Sequence, residues 1–282
     1  MRAVAALLLV LGSCASVAGP EPPASALELF NNRLFVPATV NGQATAALLD
    51  SGAEMTVLDD DFAARLGLDA GGSATARGSG AATMEARFAE NVAIQAAGAR
   101  LVDRVAIVDL DEVSERLIGR PVEMILGREL FDRVPLRLDI AAGRIAPAGP
   151  VDRRGERLPL GEHRGTPTIP AAVEGHAPVQ AAFDLGNGSE VLIGRAYAER
   201  IGLAAPHRIV ERRPGGGLGG AVERDIVVIR NLRVAGREFS DVRAAIDPGE
   251  SASDLNIGTS ILRHFVITTD FPDRAVWLEP RQ

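Results

Sequence analysis

Short apolar runs bounded by Gly, Asn or Asp recur along most of the chain. Residues 35–40, 44–49, 87–96 and 101–108 are four of them. Their length and their boundaries predict β-strands. Helical spacing is confined to brief stretches. Residues 61–68 and 195–203 each end in Gly-Leu, and Asp59, Asp60 and Asp61 suit a helix start. A short helical stretch is also expected after Leu126-Gly127 and after Ile257-Gly258. The pattern predicts an all-β architecture with little helix.

The N-terminus follows another rule. Arg2 is followed by the apolar residues 3–11 and the small residues 12–18. That is the pattern of a secretory leader, too short to span a bilayer as a mature helix, and residues 1–19 are assigned to a signal peptide. Ser16-Val17-Ala18 suits ordinary signal cleavage. Leu11-Gly12-Ser13-Cys14 resembles the lipobox of bacterial lipoproteins, whose Cys carries lipid. Both processing routes stay open. Either implies an exported protein, periplasmic or in the cell envelope, with Cys14 as the lipidation candidate. Residues 19–23 read as a tether.

Laid on itself, the chain repeats. Leu49-Asp50-Ser51-Gly52 corresponds to Phe183-Asp184-Leu185-Gly186, and each returns to apolar residues seven positions after the Asp. Val36-Pro37-Ala38 pairs with Ile169-Pro170-Ala171, and Ile125-Leu126-Gly127 with Asn256-Ile257-Gly258. The offset is 133 at Pro37, 134 at Asp50 and 131 at Gly127. So steady an offset implies two homologous halves, 27–147 and 155–282, joined by the Pro- and Arg-rich stretch 147–157.

Asp-Ser-Gly by itself has the composition of a surface turn. Here, however, the carboxylate stands between two apolar runs, where it is costly unless hydrogen-bonded or functional. Gly behind the hydroxyl residue permits a sharp turn and a close backbone approach. Gly127, behind the apolar pair Ile125-Leu126, and Gly258, behind Ile257, suit strands that pass close to another backbone.

On these residues the chain resembles the retropepsin-like and pepsin-like aspartic proteases. Asp50-Ser51-Gly52-Ala53, with Thr56 and Val57 following, resembles their active-site signature. Ile125-Leu126-Gly127 is similar to the strand that crosses behind the catalytic loop. The resemblance implies two homologous β-barrel lobes of the aspartic-protease type, with short helices and the active site in the cleft between them. It implies Asp50 and Asp184 as the catalytic pair, supported by Ser51, Gly52, Ala53, Thr56, Gly127, Gly186 and Gly258. Two carboxylates about 3 Å apart share a proton, so one serves as base for a water and the other as acid for the peptide carbonyl. Residues 77–83 and 214–220 are the flap candidates.

One position departs from the family pattern. Leu185 stands where Thr or Ser usually bonds across to the other lobe, and Ser189 is the nearest substitute hydroxyl. Losing one such bond costs about 1 kcal/mol. The expected function is therefore an aspartic endopeptidase, with a peptide-binding groove that has lost its chemistry as the alternative. Activity through homodimerisation of the first half is a third reading.

Composition narrows the rest. The formal net charge of −7 argues against nucleic-acid binding. The four His are scattered without metal-ligand spacing, and no cofactor motif is found. The expected partner is a polypeptide substrate, and the expected state is a monomer. With one Cys in 282 residues, no internal disulfide is available and stability rests on the core.

Overall fold

The computed structural model describes residues 24–281 except 79, 81 and 251. The signal peptide and Cys14 lie outside the described residues. The expected strands are present and somewhat longer: Arg33–Val40, Gln43–Leu49, Thr83–Ala96 and Ala99–Val108. The helices are shorter than the pattern suggested, at Asp60–Arg65 and Arg195–Arg200. Asp59 caps the first by accepting the N–H of Phe62 at 3.2 Å, which satisfies one of the free donors of the first turn. Gly67 and Gly202 follow with φ of +63° and +76°, a left-handed step that ends a helix and favours Gly.

Each half forms an eight-stranded sheet, and the strand order is the same in both. In the first it runs Glu28–Phe30, Arg33–Val40, Gln43–Leu49, Met124–Leu126, Val57–Asp59, Ala99–Val108, Thr83–Ala96, Gly71–Arg77. In the second it runs Gly161–His163, Thr166–Val173, Val179–Phe183, Leu255–Ile257, Val191–Gly194, Arg237–Asp247, Gly220–Val234, Ile209–Gly217. An extra pairing of Arg33–Val40 with Thr83–Ala96, and of Thr166–Val173 with Gly220–Val234, folds each sheet back on itself. At each centre, a strand ending at a catalytic candidate lies parallel to a three-residue strand. Leu49 faces Leu126, and Phe183 faces Ile257.

A third sheet joins the halves. Its order is Ser25–Ala26, Arg144–Pro147, Leu136–Asp139, Phe265–Asp270, Ala275–Pro280, Glu156–Pro159. Leu136–Asp139 pairs antiparallel with Phe265–Asp270, so the two lobes share a ladder. Trp277 lies buried on the fifth of these strands, as its apolar neighbours suggest. The cores merge at this seam: Phe131 stacks on Phe271 at 5.4 Å, and Phe271 meets Phe183 edge-on at 6.4 Å. Phe183 directly precedes Asp184, so aromatic packing at the seam supports the strand end that carries the second carboxylate.

Candidate active site

Both strands deliver their Asp in the same way. The first, Gln43–Leu49, is exposed at its start and buried over its last three residues. Its end is held by the N–H of Asp50 donating to Leu126 O at 3.0 Å. The N–H of Asp184 donates to Ile257 O at 3.1 Å. In each half the backbone then turns so that two N–H groups point at the half's own carboxylate. Gly52 and Ala53 donate to Asp50 Oδ1 at 2.8 and 3.0 Å, and Gly186 and Asn187 donate to Asp184 Oδ1, both at 3.0 Å.

The two loops face each other across the lobes. A Cβ added at Gly186 would lie 2.3 Å from Asp50 Cγ, and one at Gly52 would lie 3.2 Å from Asp184 Cγ. Each Gly is therefore the space that the opposite carboxyl occupies, which explains Gly at both positions physically.

Ser51 ties the loops together. Fully buried, its Oγ donates to Phe183 O at 2.9 Å and accepts the N–H of Leu185 at 3.0 Å. The reciprocal bond is not made from Leu185, which is fully buried in the core and whose carbonyl instead accepts from Thr259 Oγ1 at 3.3 Å. No cross-lobe bond from the hydroxyl of Ser189, the expected substitute, is found among the described residues, and the Ser189 backbone N–H donates to Asn187 Oδ1. The cross-lobe grip is thus one-sided. Ser51→Ala leaves a buried carbonyl and a buried N–H unpaired, and a loss of about 2–4 kcal/mol is expected. Urea unfolding checks this; a loss below about 0.5 kcal/mol would show that the grip is dispensable.

The remaining predicted support residues converge here as well. Thr56 Oγ1 accepts the N–H of Gly127 at 3.1 Å. A Cβ at Gly127 would lie 2.6 Å from Met55 C, and one at Gly258 would lie 2.1 Å from Asn187 O. These are the close strand crossings expected of both Gly. Glu129, absent from the sequence prediction, accepts from both Thr56 N and Thr56 Oγ1, and burial raises its carboxyl above the usual range.

The carboxyl pair is electrostatically coupled. Burial and then the nearby Asp184 push Asp50 up to about 7. Burial also raises Asp184, opposed first by a hydrogen bond from Asn256. Two buried carboxyls this close keep one proton between them. Arg33, buried on the strand Arg33–Val40, adds a positive charge that acts on Asp184. Neither Asn256 nor Arg33 was identified from the sequence. For Asn256 a signal existed, because an amide replaces the aliphatic Ile125 of the first half.

The flap candidates are the tips of two hairpins, Gly71–Arg77 with Thr83–Ala96 and Ile209–Gly217 with Gly220–Val234. The tips touch: the N–H groups of Gly80 and Ala82 donate to the carbonyls of Leu218 and Gly219, each at 2.7 Å. Leu218 packs against a buried apolar cluster of the first lobe, as do Ala53 and Met55, three and five residues after Asp50. Each lobe thus contributes one hairpin to this contact. Beside the Asp184 loop, a cavity of about 570 Å³ is lined by residues that include Ser189, Glu190, Arg213 and Arg243.

The Asp59, Asp109 and Asp111 carboxylates lie within 4.8 Å of one another. Asp59, however, is committed to the N–H groups of Phe62 and Leu110.

The family described as aspartyl protease matches residues 36–130 and again residues 169–261. No curated protein sequence matches the chain. Among solved structures, Basic 7S globulin from soybean is 10% identical with a TM-score of 0.54, over 91% of this chain and 94% of that one. A retropepsin-like aspartic protease from Rickettsia conorii is 18% identical with a TM-score of 0.36, over 44% of this chain and 89% of that one.

Proposed function

Because the chain belongs to the aspartyl protease family, we propose that it is an endopeptidase that hydrolyses peptide bonds with Asp50 and Asp184. The observation that carries this reading is the pair of facing carboxyls, each cradled by two backbone N–H groups and each filling the space opposite a Gly. A water between them gives a proton to the ionised carboxylate while its oxygen attacks the peptide carbonyl carbon. The protonated carboxyl gives its proton to the carbonyl oxygen. The tetrahedral diol then collapses: the C–N bond breaks, the leaving amine takes the proton held by the base, and a diol hydroxyl returns its proton to the other carboxylate, which restores the singly protonated pair. No covalent intermediate forms. The two hairpins would hold an extended polypeptide over the pair and exclude water from it.

The reaction needs one proton on the pair. With Asp50 raised to about 7, kcat/KM is expected to fall about tenfold per pH unit above that value, as the acid ionises. A pH–rate profile checks this, and a rate still flat at pH 9 would contradict it.

The direct test is incubation of the protein, from residue 20 onward, with a mixed peptide library from pH 3 to 8, beside binding of a statine-type inhibitor. Cleavage together with inhibitor binding supports the endopeptidase. A folded protein that cuts nothing yet holds extended peptide supports the groove without hydrolysis, the reading motivated by Leu185. The proposed setting is outside the cytoplasm and the proposed state a monomer, since one chain supplies both carboxylates.

A further inference from the structure

The two lobes differ at the carboxylates themselves. Asn256 and Ile125 are repeat partners, each two residues before the crossing Gly and each in the middle of a three-residue strand. Leu255 and Ile257 are fully buried, so strand alternation turns Asn256 to the opposite face. There its amide nitrogen donates to Asp184 Oδ2 at 2.6 Å.

The orientation of that amide is dictated by groups with no choice of role. The backbone N–H of Ser189 donates to Asn187 Oδ1 at 2.9 Å. The Asn187 nitrogen therefore points away, donating to Glu190 O at 3.1 Å and to Asn256 Oδ1 at 2.8 Å. With its oxygen so engaged, Asn256 presents only its NH2 to Asp184. An amide NH2 cannot accept, so Asp184 Oδ2 is held as an acceptor, which favours the ionised form. Among the described residues, Asp50 has no such amide partner. Ile125 and Ala53 occupy the corresponding positions, and its donors are the two backbone N–H groups on Oδ1.

We propose that Asn256, oriented by Asn187, is a positioning residue that keeps Asp184 ionised and so confines the shared proton to Asp50. Asp184 is then the base that takes the proton of the water, and Asp50 the acid that protonates the carbonyl oxygen. This assignment rests on the endopeptidase reading. Among the described residues, Asp50 and Arg33 are charged groups that act on Asp184, while Glu190 is paired with Arg213. Arg33 favours the same charge state as Asn256. Burial raises both carboxyls, and among the groups opposing that rise at Asp184 the Asn256 bond is the largest.

Asn256→Ile and Asn187→Ala each install the residue of the other lobe, so each suits its local backbone. The measurement is a carboxyl-carbon NMR titration of protein labelled at Asp, paired with kcat/KM against pH on one cleaved peptide. Removing a donor to the ionised form raises the lower macroscopic pKa of the pair. A rise of about one unit is expected for Asn256→Ile, the scale of one charge-assisted hydrogen bond. A smaller rise is expected for Asn187→Ala, and the acidic limb of the rate profile should move with each. Titrations superimposable on wild type would overturn the proposal, as would a uniform drop in kcat at every pH without a shift. The NMR arm needs no turnover. An inactive wild type would therefore sink the endopeptidase reading while the assignment of the proton is still decided, and Asn187→Ala serves if Asn256→Ile does not fold.

Discussion

Asp184→Asn and Asp50→Asn each lower kcat/KM by about 10³-fold or more, because an amide serves neither as the base for water nor as the acid for the carbonyl. The losses are not additive, since the pair works as one unit, and the double variant is no slower than either single one. The same substitutions leave the fold intact, and at Asp50 the stability change has a definite sign. Folding raises that carboxyl from 3.8 to about 7, so the ionised form is disfavoured in the native state. Wild type is then most stable below the unfolded value and loses stability as pH rises through about 7. Asn carries no charge to bury, so Asp50→Asn raises Tm by a few degrees at pH 8 and leaves it unchanged at pH 3. Calorimetry at the two pH values, beside the peptide assay, reads both effects. Residual cleavage within tenfold of wild type for Asp184→Asn would remove the second lobe from the chemistry. If that cleavage also depended on protein concentration, the site would be formed between two chains.

Gly186→Ala is expected to lower kcat/KM by about 10²-fold with little change in stability. The backbone there is one an Ala can adopt, so the effect is one of contact. The new methyl would sit 2.3 Å from Asp50 Cγ, and the carboxyl must move by about 1 Å to clear it. Such a displacement of a catalytic group costs about 10²-fold. Gly52→Ala is the built-in comparison, because its methyl would meet Asp184 Cγ at 3.2 Å, a distance that a small shift relieves. A loss below tenfold is expected there. Equal losses at the two positions would mean that the carboxyls do not interlock with the opposite Gly as described, and steady-state kinetics on one peptide is enough to tell.

Much of this protein is readable in one dimension. Short apolar runs and their turn residues specify strands, because a half-buried strand needs little more than alternation and boundaries. The duplication is legible because Asp, Gly and Pro recur at a steady offset, and backbone turns and close approaches constrain those residues most tightly. From it follow the two lobes, the pairing of Asp50 with Asp184, and the close crossings at Gly127 and Gly258. Helix ends were less legible, since the left-handed steps at Gly67 and Gly202 act before the Gly-Leu pairs are complete.

What remained hidden depends on contacts between distant segments. The sheet shared by Leu136–Asp139 and Phe265–Asp270 leaves no local pattern, because its partners are distant along the chain and any two apolar strands could pair. Leu185 read as a defect, yet in three dimensions it is core, and Ser51 holds the loops together alone. The asymmetry of the carboxyl pair is the clearest case. Asn187 and Asn256 are unremarkable polar residues in sequence, and only the crossing of their strands turns one amide toward the other and that one toward Asp184. The chain's linear pattern determined which two carboxylates meet; the fold decided which of them carries the proton, because charge state is set by the donors that packing brings within hydrogen-bond reach.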